Sequence, residues 1–179
     1  MTNEKSQLTV RDARPDERDV VATLTRDAYA EYALIMAPEA WLELATAIES
    51  GLASRAPAQR IVAEFNGKVV GTALMFPANV DAYSQIEGAK AMSWPEIRLV
   101  AVDPQARSGG IARAMMEEFI HRAEQSGEMA IGIHTSRSMR AAIALYESMG
   151  FERAPEQDFQ PGGAELVLGY RLVLGRERR

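Results

Sequence analysis

The sequence predicts a mixed α/β fold, in which helices pack against a β-sheet. Apolar side chains recur at helical spacing in four segments, residues 16–29, 38–52, 111–125 and 138–149. Runs rich in β-branched and aromatic residues precede, separate and follow these helices. Two such runs meet at Asn66 and Gly67, and an Asn-Gly pair between apolar runs is the strongest short signal for a β-hairpin.

The predicted elements follow one another in the order β-α-α-β-β-β-α-β-α-β-β. The predicted strands are residues 8–11, 60–65, 68–76, 94–102, 129–135, 151–154 and 165–174. In the second helix, Pro38 suits the first turn and Gly51 ends the helix. Residues 77–93 are irregular, and a loop of that length in a compact domain is often functional.

The composition is typical of a compact globular protein, since 47% of the 179 residues are hydrophobic and 25% are charged. We find no repeat or linker, so we expect one domain over residues 1–179. The chain has no cysteine, which excludes disulfides, thiolate metal sites and a cysteine nucleophile, and we expect no metal. The first residues lack the apolar core of a signal peptide, and no apolar run has the length of a membrane span. With a net charge of -5 as well, we expect a cytoplasmic protein that binds neither membrane nor nucleic acid.

A glycine-rich turn between the fourth strand and the third helix is the most informative stretch. It reads Arg107-Ser-Gly-Gly-Ile-Ala112. Gly109 and Gly110 can adopt backbone angles that are closed to other residues and let a ligand approach the main chain. Unpaired N–H groups at the start of the helix add donors and the positive end of a dipole, so the turn suits a phosphate. The spacing fits neither a P-loop, which needs a lysine, nor the three-glycine dinucleotide fingerprint.

Two motifs together resemble a known family. Arg107-x-x-Gly110-x-Ala112 resembles the Arg/Gln-x-x-Gly-x-Gly/Ala signature of the GCN5-related N-acetyltransferase (GNAT) family. Residues 142–151, Ala-Ile-Ala-Leu-Tyr-Glu-Ser-Met-Gly-Phe, are similar to that family's Ala-x-x-Leu-Tyr-x-x-x-Gly-Phe segment. The two motifs stand in the family's order, and the resemblance is specific over residues 94–155.

The resemblance implies a central, mostly antiparallel, twisted sheet that is splayed at the acetyl-CoA site and flanked by about four helices. It also implies acetyl-CoA as the acyl donor, with its pyrophosphate in the glycine-rich turn and its pantetheine along the splayed strand. The residues that this places at the cofactor are Leu99, Val100, Ala101, Val102, Arg107, Ser108, Gly109, Gly110, Ile111, Ala112, Arg113 and Met139.

Two details of the implied cofactor site stay open. The family often has an Asn that hydrogen-bonds pantetheine where this chain has Met139. Ser136 or Ser138 could make that contact instead, or the contact could be absent. Three arginines are candidate partners for the CoA phosphates, namely Arg107, Arg113 and Arg140. Each is equally well explained as an ordinary surface arginine.

The activity implied by the family is direct acetyl transfer to a primary amine, without a covalent acyl-enzyme. In that reaction the backbone of residues 99–102 would polarise the acetyl carbonyl. Tyr146 stands at the tyrosine of the Leu-Tyr motif, and a phenol can protonate a departing thiolate of similar basicity. The alternative is that Tyr146 packs between helix and sheet with its hydroxyl bonded to a main-chain group.

Glu96 and His134 are rival candidates for the base that removes the amine's proton. With a two-residue period, the fourth strand places Glu96, Arg98 and Val100 on one face. Glu96 then lies about 10 Å along the strand from Leu99, so it would need a water relay. Each candidate has a non-catalytic alternative. Glu96 and Arg98 could form a solvated pair at the sheet edge, and His134 could have only a structural role.

The acceptor amine is not identified by the sequence. The resemblance implies that it meets the first two helices, residues 77–93 and the turn between the last strands. An acidic excess there permits a cationic amine on a small molecule or peptide, although exposed carboxylates also serve solubility. A catalytically silent module that binds or senses acyl-CoA is the alternative function, and a homodimer stays open. The aromatic and acidic residues of these regions are Tyr29, Glu31, Tyr32, Glu39, Trp41, Glu43, Glu87, Glu156 and Asp158.

Overall fold

The computed structural model describes residues 8–56, 58–80, 86, 88–162 and 165–175. The strands are β1 (Leu8–Asp12), β2 (Gln59–Phe65), β3 (Lys68–Phe76), β4 (Glu96–Val102), β5 (Ala130–Ser136), β6 (Glu152–Arg153) and β7 (Val167–Val173). The helices are α1 (Arg18–Tyr29), α2 (Pro38–Ala53), α3 (Ile111–Gln125) and α4 (Arg140–Ser148). Short 3-10 turns border α1 at Pro15–Glu17 and Ala30–Leu34. The order of elements predicted from the sequence is confirmed.

The strands form one open sheet in the order β1-β2-β3-β4-β5-β7-β6. Neighbouring strands are antiparallel except β4 and β5, which run parallel. That parallel contact is short, since it pairs only Glu96 with Gly132 and Ile97 with Ile133. β5 instead pairs over its whole length with β7. The sheet is therefore splayed between β4 and β5, as the resemblance implies.

β4 carries a bulge where the splay begins. Its register with β3 shifts at this point, and Leu99 has a left-handed backbone with a φ of 51°. An extra residue in one strand reverses the alternation of the side chains that follow it. Val100 accordingly packs with the helices α3 and α4, whereas Leu99 packs with α1 and α2. The prediction that Val100 shares a face with Glu96 and Arg98 is therefore wrong.

Helices cover both faces of the sheet. On one face, α3 and α4 bury a core that includes Met115, Phe119 and Tyr146. On the other face, α1 and α2 pack on the sheet through Val21 and Ile48. The sheet thus forms the middle layer, and the splay lies between the two helix layers.

Gly51 has a different role from the predicted one. α2 continues past it to Ala53, so Gly51 does not end the helix. A Cβ atom at this position would lie 2.8 Å from Cδ1 of Leu99. The missing side chain lets α2 approach the bulge of β4 closely.

The long segment between β3 and β4 is irregular where the structure describes it. Residues 77–80 and 88–93 contain no helix or strand, as expected. Trp94 and Pro95, predicted to begin the fourth strand, precede β4, which begins at Glu96. Residues 81–85 and 87 lie outside the described part of the chain. Over the residues that are described, we find no helix with both the length and the apolar character needed to cross a membrane.

Candidate active site

The splay opens a cleft of about 210 Å³ between β4 and α4, which we call the β4 cleft. Within the described residues, β5 pairs with β4 no further than Ile97, so the β4 edge beyond it faces the cleft. The hydroxyl of Tyr29 donates to the carbonyl of Val100 there, at 3.3 Å. The predicted cofactor residues on the cleft wall are Leu99, Val100, Ala101, Val102, Arg107, Ala112 and Met139.

The glycine-rich turn continues from Arg107 into α3. Gly110 is the N-cap of the helix, with a φ of 73°, and there is open space where a Cβ would stand. Because glycine has no side chain, no capping side chain occupies the helix N-terminus. Of the two glycines expected to use such angles, only Gly110 does, and Ser108 is the other left-handed residue, with a φ of 69°. Ser108, Gly109 and Gly110 are all exposed, so the main chain that leads into α3 is open to a ligand, and the first N–H groups of a helix have no partner within it. A helix N-terminus in this condition is suited to bind an anion.

Arg107 reaches the β4 cleft but is already held by protein groups. Its guanidinium lies 2.9 Å from Oε2 of Glu31 and donates to the carbonyl of Ala28 at 3.0 Å. The hydrogen bond to Glu31 raises the pKa of Arg107. Arg113 instead donates to the hydroxyl of Ser148 at 2.7 Å. Of the three candidate arginines, Arg107 alone lines the cleft within the described residues.

Tyr146 lines the same cleft from α4 and is only 5% exposed. Burial raises the pKa of its phenol, so the hydroxyl keeps its proton throughout the physiological range. Among the described residues, nothing forms a hydrogen bond with that hydroxyl. The alternative in which a main-chain group binds it is therefore wrong.

None of the three residues considered near pantetheine supplies the hydrogen bond that the family's Asn often makes. Met139 precedes α4, and its sulfur accepts a hydrogen bond from the hydroxyl of Thr135 at 3.5 Å. The hydroxyls of Ser136 and Ser138 both donate to Oε2 of Glu165, at 2.6 and 2.9 Å. Neither serine lines the β4 cleft.

Glu96 and His134, which sequence reasoning treated as rivals, form one buried pair. Nδ1 of His134 lies 2.9 Å from Oε1 of Glu96, and both side chains are 3% exposed. Nε2 of the same ring lies 2.9 Å from the carbonyl oxygen of Gln157. Because a carbonyl only accepts, Nε2 carries a hydrogen, and one proton lies between Nδ1 and the carboxyl oxygen.

The structure contradicts a solvated pair of Glu96 and Arg98 at a sheet edge. β4 is a central strand, and both residues are buried, with exposures of 2% and 5%. The guanidinium of Arg98 lies over the ring of Phe76, 5.6 Å from its centre. His134 lines the β4 cleft, whereas Glu96 lies behind it.

A second cavity, of about 110 Å³, opens beside α2, and we call it the α2 cavity. Its wall is largely apolar, with the carboxylates of Glu43 and Glu165 set into it. The cavity and the β4 cleft meet at the splay. The residues that line both are Tyr29, Arg98, Leu99, His134, Thr135 and Met139.

The acidic residues expected near the acceptor are not all in one place. Glu43 lines the α2 cavity, and Glu87 lies outside the described residues. Glu165 is a cavity residue that sequence reasoning missed, because spacing alone does not show that the segment before β7 returns to α2. Three others pair with arginines, namely Glu31, Glu156 and Asp158.

Comparison with known sequences identifies relatives that carry the same enzyme class in their names. Residues 22–151 match the Acetyltransferase (GNAT) family. The chain is 42% identical to the ribosomal protein bS18-alanine N-acetyltransferase of Escherichia coli K12 over 55 residues, which are 31% of this chain and 37% of that protein. It is 34% identical to N-acetyltransferase family 8 member 3 of Rattus norvegicus over 95 residues, which are 53% of this chain and 39% of that protein. These matches thus span well under half of each relative's length.

Solved structures share the fold over nearly the whole chain. A GNAT family acetyltransferase from Streptococcus agalactiae has a TM-score of 0.67 at 17% identity, covering 97% of this chain and 100% of that one. A GNAT family acetyltransferase from Brucella melitensis, solved in complex with acetyl-CoA, has a TM-score of 0.63 at 16% identity, covering 98% and 93%. At such identities the likeness concerns the fold alone. Because the family match covers residues 22–151, well over half of the chain, this protein belongs to the GNAT family of acetyltransferases.

Proposed function

We propose that this protein is an acetyl-CoA-dependent N-acetyltransferase, which transfers the acetyl group directly to a primary amine of a small molecule or peptide. One observation carries the proposal. The β4 cleft leads from the glycine-rich turn to the splay, where it meets the α2 cavity at Leu99 and His134. Two substrates that enter from opposite sides would therefore meet in one place, as direct transfer requires. Relatives named as N-acetyltransferases support the reaction class.

The acyl-donor site would be built from the turn and from the free edge of β4. The first N–H groups of α3 would receive the pyrophosphate, with Arg107 adding a positive charge. Main-chain groups of residues 99–102 would pair with pantetheine and stabilise the oxyanion that develops on the acetyl carbonyl. One such donor, fixed before the reaction, is worth roughly 3 kcal/mol of transition-state stabilisation. The remaining predicted cofactor residues would contribute through their position in the glycine-rich turn or in the first turn of α3, namely Ser108, Gly109, Ile111 and Arg113.

Tyr146 is the proposed acid for the departing thiolate. Its hydroxyl is protonated, lies on the cleft wall and has no partner among the described residues. A donor in that condition can protonate the sulfur without first breaking another hydrogen bond.

The pair of Glu96 and His134 is the proposed destination of the amine's proton. A free alkylammonium has a pKa of about 10.4, so nearly all of it is protonated at neutral pH and cannot attack. His134 lines both the cleft and the cavity, whereas Glu96 lies behind it. We therefore place an ordered water between the amine and this pair. Because both ring nitrogens of His134 already carry or share a proton, the amine's proton passes through the water to the second carboxyl oxygen of Glu96, and the charge of the pair rises from zero to plus one.

A catalytically silent module that binds or senses acyl-CoA is the second candidate function. The residues expected near pantetheine favour this second candidate. Met139 stands where the family often has Asn, and neither Ser136 nor Ser138 lines the β4 cleft. The free hydroxyl of Tyr146 favours the enzyme.

Release of free thiol from acetyl-CoA over a panel of amines tests the proposal. The enzyme predicts amine-dependent release together with an N-acetylated product detected by mass spectrometry. The silent module predicts CoA binding by calorimetry with no release above the amine-free rate, and that result would overturn the proposal.

Variants of the buried pair test the base. We expect Glu96→Gln and His134→Gln to lower turnover by roughly 10²-fold, and the double variant to be no slower than the slower single, because the two residues share one proton. The loss in Glu96→Gln should be greatest near neutrality and recover as the pH approaches the pKa of the amine. An equal fractional loss at every pH would assign the pair a structural role. Glu152→Gln, an exposed change on β6, is the control.

A further inference from the structure

The wall of the α2 cavity carries a charge pattern that bears on the chemistry of the acceptor. This inference rests on the proposed function. Within the described part of the chain, the basic side chains on that wall are Arg98 and His134, and both belong to the junction with the β4 cleft. The anionic ones, Glu43 and Glu165, line only the cavity. The apolar remainder of the wall is Met36, Ala40, Leu44, Ala47, Ile86, Phe159, Pro161 and Val167.

Glu165 is fixed in place and keeps unused acceptor capacity. Ser136 and Ser138 donate to its Oε2, and within the described residues its Oε1 has no hydrogen-bond partner. Glu43 likewise makes no hydrogen bond or ion pair with the residues that the structure describes. Both carboxylates can therefore accept hydrogen bonds from a ligand in the cavity.

Neither carboxylate lines the β4 cleft, so both lie off the junction where the cavity and the cleft meet. Oε1 of Glu43 is 3.7 Å from the place where a Cβ of Gly162 would stand, so α2 meets the segment before β7 there. An amine that reacts must lose its proton, and direct contact with a carboxylate favours the protonated ammonium. Glu43 and Glu165 are thus badly placed for the reacting nitrogen and well placed for a cation that does not react.

We propose that the acceptor is an organic dication, in which a compact apolar linker joins the reacting primary amine to a second ammonium or guanidinium group. Glu165, with Glu43, binds that second cation at the part of the α2 cavity wall that the β4 cleft does not share. The apolar wall contacts the linker, and the reacting amine reaches the splay at Leu99.

Matched pairs of acceptors test this proposal. The kcat/KM values of α,ω-diaminoalkanes are compared with those of n-alkylamines of the same carbon count. We expect the wild-type protein to prefer the diamine by about tenfold or more, the usual effect of a charged hydrogen bond. Glu165→Gln removes the charge but keeps an oxygen for the two serines, and it should abolish the preference by lowering the kcat/KM of the diamine far more than that of the alkylamine. Glu39→Gln, an exposed change of equal charge in the first turn of α2, should retain the preference.

Two results would overturn the inference, namely equal kcat/KM for both amines in the wild type, or an equal loss on both in Glu165→Gln. Calorimetry of the diamine with the CoA-saturated protein is the second measurement. If the diamine binds in a Glu165-dependent manner and no amine is acetylated, the proposed function fails and the recognition stands. If amines are acetylated without preference, the function stands and this inference fails.

Discussion

At the scale of single residues, Tyr146 and Arg107 differ in what they contact before any ligand arrives. The hydroxyl of Tyr146 has no partner among the described residues, whereas Arg107 is bound to Glu31 and to the carbonyl of Ala28. A ligand that uses Tyr146 displaces no hydrogen bond, but one that uses Arg107 must compete with Glu31. Substitutions at the two positions should therefore affect different quantities.

We expect Tyr146→Phe to lower turnover by roughly 10²-fold, because a lost general acid has an effect of about that size. The affinity for CoA should be nearly unchanged, since the ring and its packing remain. Stopped assays of thiol release and calorimetry with CoA measure the two quantities. Turnover at the parent rate would show that Tyr146 is a packing residue and that the thiolate leaves without a protein acid.

Glu31→Gln should tighten CoA binding, because Arg107 would no longer leave an ion pair to meet the pyrophosphate. An exposed pair is worth about 0.2 to 1 kcal/mol, so we expect a gain of roughly two- to fivefold in affinity. Calorimetric titration with CoA checks this, and Arg107→Ala should weaken binding. Unchanged affinity in both variants would remove Arg107 from the phosphate site.

At the scale of elements, the N-terminus of α3 and its C-terminus offer a matched comparison. Gly110 and Gly127 stand at opposite ends of this helix, have φ values of 73° and 77°, and both have open space where a Cβ would be. A side chain at either position imposes the same backbone strain, of roughly 1 kcal/mol. Only the one at Gly110 would meet a bound pyrophosphate.

CoA at about 100 times its dissociation constant should stabilise the wild type by ~2.7 kcal/mol. Gly110→Asp should abolish this gain, because it places a carboxylate at the proposed pyrophosphate site. Gly127→Asp should keep it. Thermal melts with and without CoA compare the three proteins, and an undiminished shift in folded Gly110→Asp would refute the assignment of the turn.

α3 and β4 show how far sequence reasoning reaches for one element. The predicted bounds of α3 are those observed, because Ile111, Met115 and Phe119 repeat at helical spacing and a glycine precedes them. In β4 the bulge at Leu99 was not predicted, since a left-handed leucine leaves no mark in an apolar run. It follows from pairing with β3, which is a tertiary contact.

The contact between Glu96 and His134 was also beyond sequence reasoning. The two residues are 38 positions apart, and each was correctly placed on its own strand. Their meeting follows from the register, because Glu96 pairs with Gly132 and His134 lies two residues further on. Strand assignment fixes which residues share a face only where the strand is free of bulges, and only the register fixes which of them touch.

At the scale of the whole molecule, burial of tyrosines links stability to alkaline pH. The pKa values of Tyr29 and Tyr146 are raised by burial above the ordinary value of 10.0. Above pH 10 the unfolded chain therefore releases protons that the folded protein keeps. Below pH 10 the contribution of these tyrosines to the free energy of unfolding should be fully present. As the pH rises further, the free energy of unfolding should fall by roughly 1 kcal/mol per pH unit for each tyrosine.

Urea unfolding between neutral pH and the alkaline range measures this slope. Tyr146→Phe should lower it relative to the wild type, since one of the titrating tyrosines is gone. Equal slopes in both proteins would mean that Tyr146 ionises as readily in the folded state as in the unfolded chain.

The close approach of Gly51 to Leu99 has a kinetic consequence. α2 forms one wall of the α2 cavity, and the same helix contacts the side chain of Leu99, whose backbone borders the proposed acyl-donor site. A ligand that shifts α2 therefore shifts Leu99, and coupling between two binding sites is reciprocal. The affinity for each substrate should then depend on whether the other is bound, which appears as double-reciprocal lines that intersect off the horizontal axis rather than on it.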